Sequence, residues 1–161
     1  MKVFWEIFNQ SIKLPQKQAV FSLNRIGMDI AVIYLFILLG IASLPALVEQ
    51  IVTNQVSSTH IHTFFLLIYF FIFYYLILVL IVFSALSLVA YIGTLITKTV
   101  KRRLRFSILW KMAAFTTTLP LILFSVISFF YPLSQLFLIL VTIYIFFILI
   151  KIILIYPKRR H

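Results

Sequence analysis

A single apolar run from about residue 63 to residue 97 limits the folds that are open to this chain. The run contains no proline, and its only glycine is Gly93, so nothing in its interior indicates a chain reversal. At 1.5 Å per residue, a helix of this length would reach about 52 Å, well beyond a hydrocarbon core of about 30 Å. The run therefore predicts one long, tilted membrane-spanning helix.

The composition of the whole chain agrees with a membrane location. Hydrophobic residues make up 64% of the 161 residues and charged residues 11%, against roughly 25% charged residues in a soluble domain. So few charges do not cover a water-soluble globule, and disordered chains lack such an excess of aliphatic and aromatic residues. The fold class is therefore predicted to be an all-α integral membrane protein, and a soluble enzyme is excluded.

Three further apolar runs complete a predicted transmembrane domain at residues 28–156. Each run is long enough for a spanning helix of about 20 residues, and Pro132 marks a tight turn between the last two. The sequence predicts four transmembrane helices, at about 28–52, 63–97, 112–131 and 133–156. Residues 1–27 are predicted to be a cytoplasmic interfacial segment, and residues 157–161 a basic cytoplasmic tail.

The N-terminal segment has its own apolar stripe. Phe4, Phe8 and Ile12 lie four residues apart, which places them on one face of a helix. This spacing predicts an amphipathic helix that lies in the membrane interface. A helix packed on the rest of the protein fits the same pattern equally well.

The basic residues give the orientation. In the four-helix arrangement all 14 Lys and Arg residues fall on one side, and the loop at 52–62 and the turn near Pro132 carry none. By the positive-inside rule, both the N-terminus and the C-terminus are predicted to be cytoplasmic. The net charge of +11 is then explained by cytoplasmic retention and by anionic lipid, and no nucleic-acid partner is expected.

The segment 98–111 has the most distinctive pattern, because its basic residues alternate with apolar ones. Each basic residue near an anionic membrane surface contributes about 1 kcal/mol of attraction. We predict that this segment contacts the anionic lipid of the inner leaflet through Lys98, Lys101, Arg102, Arg103 and Arg105.

Small residues and prolines predict where helices pack. Small residues recur every three positions in the second span, and two more lie four apart in the first, a pattern that allows helix backbones to approach closely in lipid. Prolines kink such helices unless neighbouring groups satisfy the freed carbonyls. The predicted helix-packing or partner-binding residues are Ala42, Pro45, Ala46, Ser84, Ser87, Ala90, Gly93 and Pro120. Alternatively, the kinks bound a groove for lipid or a partner.

Groups for catalysis or metal binding are sparse. His60 and His62 lack a convincing third ligand, and metal sites generally need three. General acid–base chemistry needs paired titratable groups in a pocket, and no such pair is evident, although an ion or proton role for Glu49 stays open. The hydroxyls of residues 116–118 are expected to bond to backbone carbonyls beside Pro120. No cofactor, metal or enzymatic activity is predicted.

Several short motifs are similar to those of a membrane family of unknown function from Gram-positive bacteria. Members of that family are often labelled maltodextrin-utilisation proteins, and the family is distantly similar to Yip-type membrane proteins. The motifs span most of residues 8–125: SIKLP at 11–15, AVF at 19–21, RIG at 25–27, SLP at 43–45, YIG at 91–93, WKMAA at 110–114 and TLP at 118–120. The resemblance implies a polytopic membrane protein of the bacterial cytoplasmic membrane with no catalytic residue.

One departure from the family pattern lies between the first two helices. Typical members carry a large extracytoplasmic insertion there, whereas this chain has only about residues 52–62. A function that resides in the insertion therefore does not carry over.

Two functions fit these observations. The first is an accessory or scaffold subunit that binds another membrane protein, or a second copy of itself, through its helices. The alternative is a transport component or a lipid-handling module, with Pro45, Glu49 and Pro120 near a groove.

The predicted topology is tested by cysteine labelling in intact cells. A cysteine that replaces Ser57 should react with a membrane-impermeant maleimide, because the loop at 52–62 is predicted to be external. A cysteine that replaces Ser107 should react only after the cells are permeabilised. The reverse pattern would reject the topology.

Overall fold

The computed structural model describes residues 2–56, 62–102, 104–130 and 135–157, and these ranges contain helices and no β-strand. A π-helical segment, Phe70–Tyr75, lies between the helices Thr63–Tyr69 and Leu76–Thr99. The helices are α1 (Lys2–Ile12), α2 (Lys17–Asn24), α3 (Met28–Val56), α4 (Thr63–Tyr69), α5 (Leu76–Thr99), α6 (Phe106–Thr116), α7 (Thr118–Ser128) and α8 (Gln135–Ile155).

Helix α4, the π-helical segment and α5 form one continuous helix, Thr63–Thr99, which we call the long helix. The prediction of a single uninterrupted helix is confirmed. Its π-helical segment contacts α3: the Tyr75 hydroxyl donates a hydrogen bond of 2.7 Å to the backbone carbonyl of Phe36, and the two rings meet edge to face at 5.1 Å.

Three helices are long and apolar enough to cross a membrane: Met28–Thr53, Thr63–Thr99 and Phe106–Ser128. The described apolar part of α8, Ile139–Ile155, is shorter than a span. The prediction of an all-helical membrane protein is confirmed in this form. A fourth span at 133–156 stays a prediction, and the turn at 131–134 lies outside the described residues.

Helix α6 lies at the centre of the bundle. It contacts α1, α2, α3, α5, α7 and α8. Every residue from Leu109 to Thr116 is buried. A helix that is buried on all sides has to be apolar all round, and the buried part of α6, Leu109–Thr116, meets this condition except at Lys111 and Thr116.

The position of Lys111 corrects the sequence prediction. The third span begins at Phe106 instead of residue 112, so Lys111 is not in a basic loop but is buried inside α6. Its Nζ donates hydrogen bonds to the carbonyl oxygens of Asn24, at 2.9 Å, and Ile26, at 2.5 Å. The carbonyls at the end of a helix have no intrahelical donor, so the ammonium group and the end of α2 satisfy each other.

The N-terminal segment consists of two short helices that pack on the bundle. Ile7 of α1 and Val20 and Leu23 of α2 are fully buried in the core. Of the two interpretations of α1, packing on the rest of the protein is therefore observed. The Trp5 side chain is 67% exposed, and contact of this face with a membrane interface stays a prediction.

The Lys111 contacts predict a measurable loss of stability. Lys111→Met keeps the length of the side chain but leaves two carbonyls without a donor, which should cost about 1–3 kcal/mol. Lys13→Met changes an exposed lysine between α1 and α2 and is the matched control. Thermal unfolding in detergent should show a lower Tm for Lys111→Met alone; equal Tm values would contradict the assigned role.

Candidate functional site

A basic cavity of about 650 Å³ lies where α5 ends and α6 begins. Of the five cations that the sequence predicts to contact lipid, the structure brings Lys98, Arg102 and Arg105 together around this cavity. Lys101 is exposed and is not part of the lining, and Arg103 lies outside the described residues. The other polar lining residues are Tyr91, Thr94 and Thr97.

The chain reversal that forms the cavity is a Schellman-type end of α5. Lys101 has a φ of 55°, in the left-handed region that usually favours glycine. The Arg102 N–H donates to the Thr97 carbonyl at 2.9 Å, and the Lys101 N–H donates to the Lys98 carbonyl at 3.2 Å. Sequence reasoning missed this turn because a lysine occupies the position where glycine would have indicated it.

Arg102 has a different role from the other two cations of the cavity. Its Nη1 donates to the backbone carbonyl of Tyr156, just beyond the end of α8. A cation in this position is stabilised by the negative end of the helix dipole. Its Nε is buried and has no hydrogen-bond partner within the described ranges. Arg102 therefore ties the loop between α5 and α6 to α8.

Lys98 and Arg105 are free to bind a ligand. Both side chains are exposed, and in the part of the chain that the structure describes neither takes part in an ion pair. The chain has only three acidic residues, Glu6, Asp29 and Glu49, and none of them lines the cavity. The cavity is therefore a site of uncompensated positive charge.

The small residues of α5 differ in burial along the helix. Ala90 and Gly93 are buried, Ser87 is half-buried and Ser84 is exposed. A Cβ atom at Gly93 would lie 2.7 Å from Cδ2 of Leu149 in α8 and 3.5 Å from Cδ1 of Leu109 in α6. Two neighbouring helices thus approach α5 at its glycine.

Ser87 also links α5 to α6 by a hydrogen bond. Its Oγ accepts the indole N–H of Trp110 at 3.1 Å and donates to the Phe83 carbonyl at 2.8 Å. The rings of Phe83 and Trp110 lie 5.5 Å apart. This polar link was not predicted, because sequence spacing alone does not identify which face of α6 meets the serine.

The proline of α3 is compensated by a neighbouring helix. Pro45 lies inside α3 and has no N–H to donate to the carbonyl of Ile41, one turn earlier. The hydroxyl of Ser125 in α7 donates to that carbonyl at 3.4 Å. The small residues on the same helix, Ala42 and Ala46, are buried and half-buried respectively.

The region before Pro120 contains three buried threonine hydroxyls. The hydroxyls of Thr116 and Thr117 donate to the backbone carbonyls of Met112, at 2.8 Å, and Ala114, at 2.7 Å. They bond to backbone carbonyls as predicted, but these carbonyls lie further back in α6 than the one that Pro120 frees. For Thr118 the prediction is wrong, because its hydroxyl pairs with the Tyr34 hydroxyl of α3 at 3.0 Å. Pro120 itself is buried in α7.

An apolar groove of about 620 Å³ lies between α1, α3 and α7. Ile41 and Ile122 line it from the two proline-containing helices, whereas Pro45, Glu49 and Pro120, which the sequence predicts near a groove, are not among its lining residues. The aromatic residues of its lining are Phe4, Trp5, Phe8 and Tyr34.

The histidine region shows an ordinary helix cap. His62 is exposed, and its Nδ1 accepts the backbone N–H of Phe64 at 3.4 Å, at the beginning of α4. His60 lies outside the described residues. Within the described ranges, no group of three His, Cys, Asp or Glu residues is placed to hold a metal ion.

The fold and these contacts define an all-helical protein with three candidate membrane-spanning helices. A family described as "Protein of unknown function (DUF1189)" matches residues 48–153. Because this match covers well over half of the chain, the protein belongs to that family, and the predicted membership of an uncharacterised family is confirmed. Comparisons with curated proteins and with solved structures found no match.

The link between Ser87 and Trp110 predicts a difference between two serines of the same stripe. Ser87→Ala leaves the indole N–H of the buried Trp110 without its acceptor and should cost about 1–3 kcal/mol. Ser84→Ala is the matched control, since Ser84 is exposed, and it should cost little. Tm values in detergent decide between them, and equal losses for the two variants would contradict the role of this hydrogen bond.

Proposed function

We propose that this protein is a non-enzymatic accessory or scaffold subunit of the bacterial cytoplasmic membrane, which binds another membrane protein or a second copy of itself through the long helix. The observation that carries this proposal is how little of that helix the chain itself covers. Only 17% of its most apolar 18-residue window is buried, against 44% and 56% for the corresponding windows of Met28–Thr53 and Phe106–Ser128.

The length of the long helix also favours a partner. Its 37 residues reach about 55 Å. Even at a tilt of 40°, the upper end for spanning helices, it rises about 42 Å against a hydrocarbon core of about 30 Å. The excess brings exposed aromatic residues at its beginning, such as Phe64 and Phe65, 61% and 64% exposed, beyond the core. Exposed apolar patches in such a position are typical of contact surfaces.

The use of polar side chains inside the bundle supports a non-enzymatic role. Tyr34 pairs with Thr118, Trp110 with Ser87, and Lys111 with two backbone carbonyls. These groups link helices to one another, whereas acid–base catalysis needs titratable groups that face a substrate pocket.

The membrane topology is part of the proposal. In the four-span arrangement α8 is the fourth span, and both termini are cytoplasmic together with the basic loop after α5. The positive-inside rule supports this orientation. Lys151 also fits it, since this exposed side chain near the end of α8 lies with its Nζ 4.6 Å from the centre of the Phe147 ring and reaches the interface by snorkelling. In this orientation the basic loop contacts anionic lipid of the inner leaflet.

Lipid handling, or a role as a transport component, is the second candidate function. The apolar groove between α1, α3 and α7 favours it, because a groove of about 620 Å³ lined by apolar side chains has the dimensions of a ligand pocket. The maltodextrin-utilisation label of similar proteins is not carried over to this chain, and the distant similarity to Yip-type proteins stays a prediction, since the matching family has no described function.

Site-specific photocrosslinking in cells tests the proposed partner surface. A benzoyl-phenylalanine in place of Phe65 or Phe73, both on the exposed side of the long helix, should give a discrete crosslinked product. The same photoreactive residue in place of Ile143, which is 60% exposed on α8, is the matched control and should give none.

The mass of the product identifies the partner. A product of twice the chain mass indicates a second copy, and another discrete mass indicates a different membrane protein. If the long-helix positions give no product, or give the same products as Ile143, the partner proposal is wrong.

A further inference from the structure

The basic cavity where α5 ends has a specific chemistry beyond general attraction to lipid. We propose that it binds one phosphate group, held between Lys98 and Arg105. Phosphate groups occur both in phospholipid headgroups and as free phosphate, and the cavity chemistry suits either source. The inference deepens the lipid contact proposed above and rests on it, and it does not depend on partner binding by the long helix.

Uncompensated charge is the first observation behind this site. Three cations line one cavity, and no acidic residue lines it with them. Like charges that line one cavity repel each other. Because the chain provides no counter-charge there, an anion from outside relieves the repulsion.

The side chains around the cavity divide into positioning and binding groups. Arg102 is held by the Tyr156 carbonyl and fixes the loop. The hydroxyls of Thr94 and Thr97 donate to the carbonyls of Tyr91, at 2.6 Å, and Thr94, at 2.7 Å. Among the residues that the structure describes, no group accepts a side-chain hydrogen bond from Lys98 or Arg105, so both keep their donors for a ligand.

The donor set suits phosphate in particular. A guanidinium group matches two phosphate oxygens at once, and an ammonium group adds a point charge. The exposed Tyr91 side chain supplies a further hydroxyl donor. Arg105 makes no side-chain hydrogen bond as the N-cap of α6, so ligand binding does not compete with a helix cap.

The position of the cavity favours a phospholipid as the source. It lies between the end of one candidate span, Thr63–Thr99, and the start of the next, Phe106–Ser128. Such a position is at the headgroup level of a bilayer, and basic pockets between spanning helices bind anionic headgroups. Its volume of about 650 Å³ falls within the range of ligand pockets.

A thermal-shift titration of the purified full chain in detergent tests the site, and this measurement is independent of membrane orientation. The three probes are dioctanoyl phosphatidylglycerol, dioctanoyl phosphatidylcholine and inorganic phosphate. We expect saturable stabilisation by the phosphatidylglycerol, since a ligand that binds the folded state raises Tm.

The variants separate the cavity from general charge attraction. The double variant Lys98→Gln/Arg105→Gln should weaken binding roughly thirtyfold, because each of the two lost cations contributes about 1 kcal/mol to the binding free energy. Lys101→Gln, which removes the same kind of charge outside the cavity, should weaken it by no more than about twofold, because an exposed charge away from the site is screened by solvent and salt. The exchange Lys98→Arg/Arg105→Lys keeps the charges and should retain binding, so a loss in the double variant is not attributable to misfolding.

Each outcome decides the proposal. Saturable binding of the phosphatidylglycerol, or of inorganic phosphate, that is lost only in the double variant supports the cavity and identifies the source of the phosphate. If phosphatidylglycerol binds but Lys101→Gln weakens it as much as a single cavity variant, Lys98→Gln, the general lipid contact holds and the cavity site is wrong. If neither phosphatidylglycerol nor inorganic phosphate binds, the site is also wrong. It is equally wrong if phosphatidylcholine, whose phosphate charge is balanced by its choline cation, binds as tightly as phosphatidylglycerol.

Discussion

The burial of α6 from Leu109 to Thr116 is the constraint on which the rest of this structure depends. Helices that precede it in the chain and helices that follow it both pack on it. Its residues belong to both hydrophobic clusters of the core: Met112 and Phe115 to one, Leu109 and Trp110 to the other. Its one cation, Lys111, is compatible with this position because two backbone carbonyls, those of Asn24 at the end of α2 and of Ile26 just after it, accept hydrogen bonds from its Nζ. The same contact fixes the N-terminal helices against the bundle.

Distortions of the other helices are compensated in the same way, by polar groups from neighbours. Pro45 leaves a free carbonyl in α3, and a serine of α7 donates to it. The end of α8 receives Arg102 from the loop after α5. In lipid, water does not satisfy such groups, so each exception to regular helix geometry requires a partner on another helix. The resulting hydrogen bonds connect α3 to α7 and the basic loop to α8.

The basic loop combines these structural needs with the charge pattern of the chain. Arg102 fixes the loop, while Lys98 and Arg105 remain exposed around a cavity. The sequence predicts these basic residues as equivalent lipid contacts, whereas the structure gives them different positions and contacts. The left-handed turn at Lys101 separates them, because it directs the chain back toward the cavity and leaves Lys101 outside.

The sequence by itself determined the helical class, the continuity of the long helix and the proline that frees a carbonyl in α3, since hydropathy, the absence of proline and the position of Pro45 depend only on residue type and order. Only the tertiary structure decided that Lys111 is buried, that Ser87 pairs with Trp110, and that three of the predicted cations share a cavity. Those facts depend on which helix faces meet and where the chain reverses. The turn at Lys101 carries no glycine to indicate it. The local sequence around Lys111 is the same whether the third span begins at residue 112, just after this lysine, or at Phe106, with the lysine inside the span.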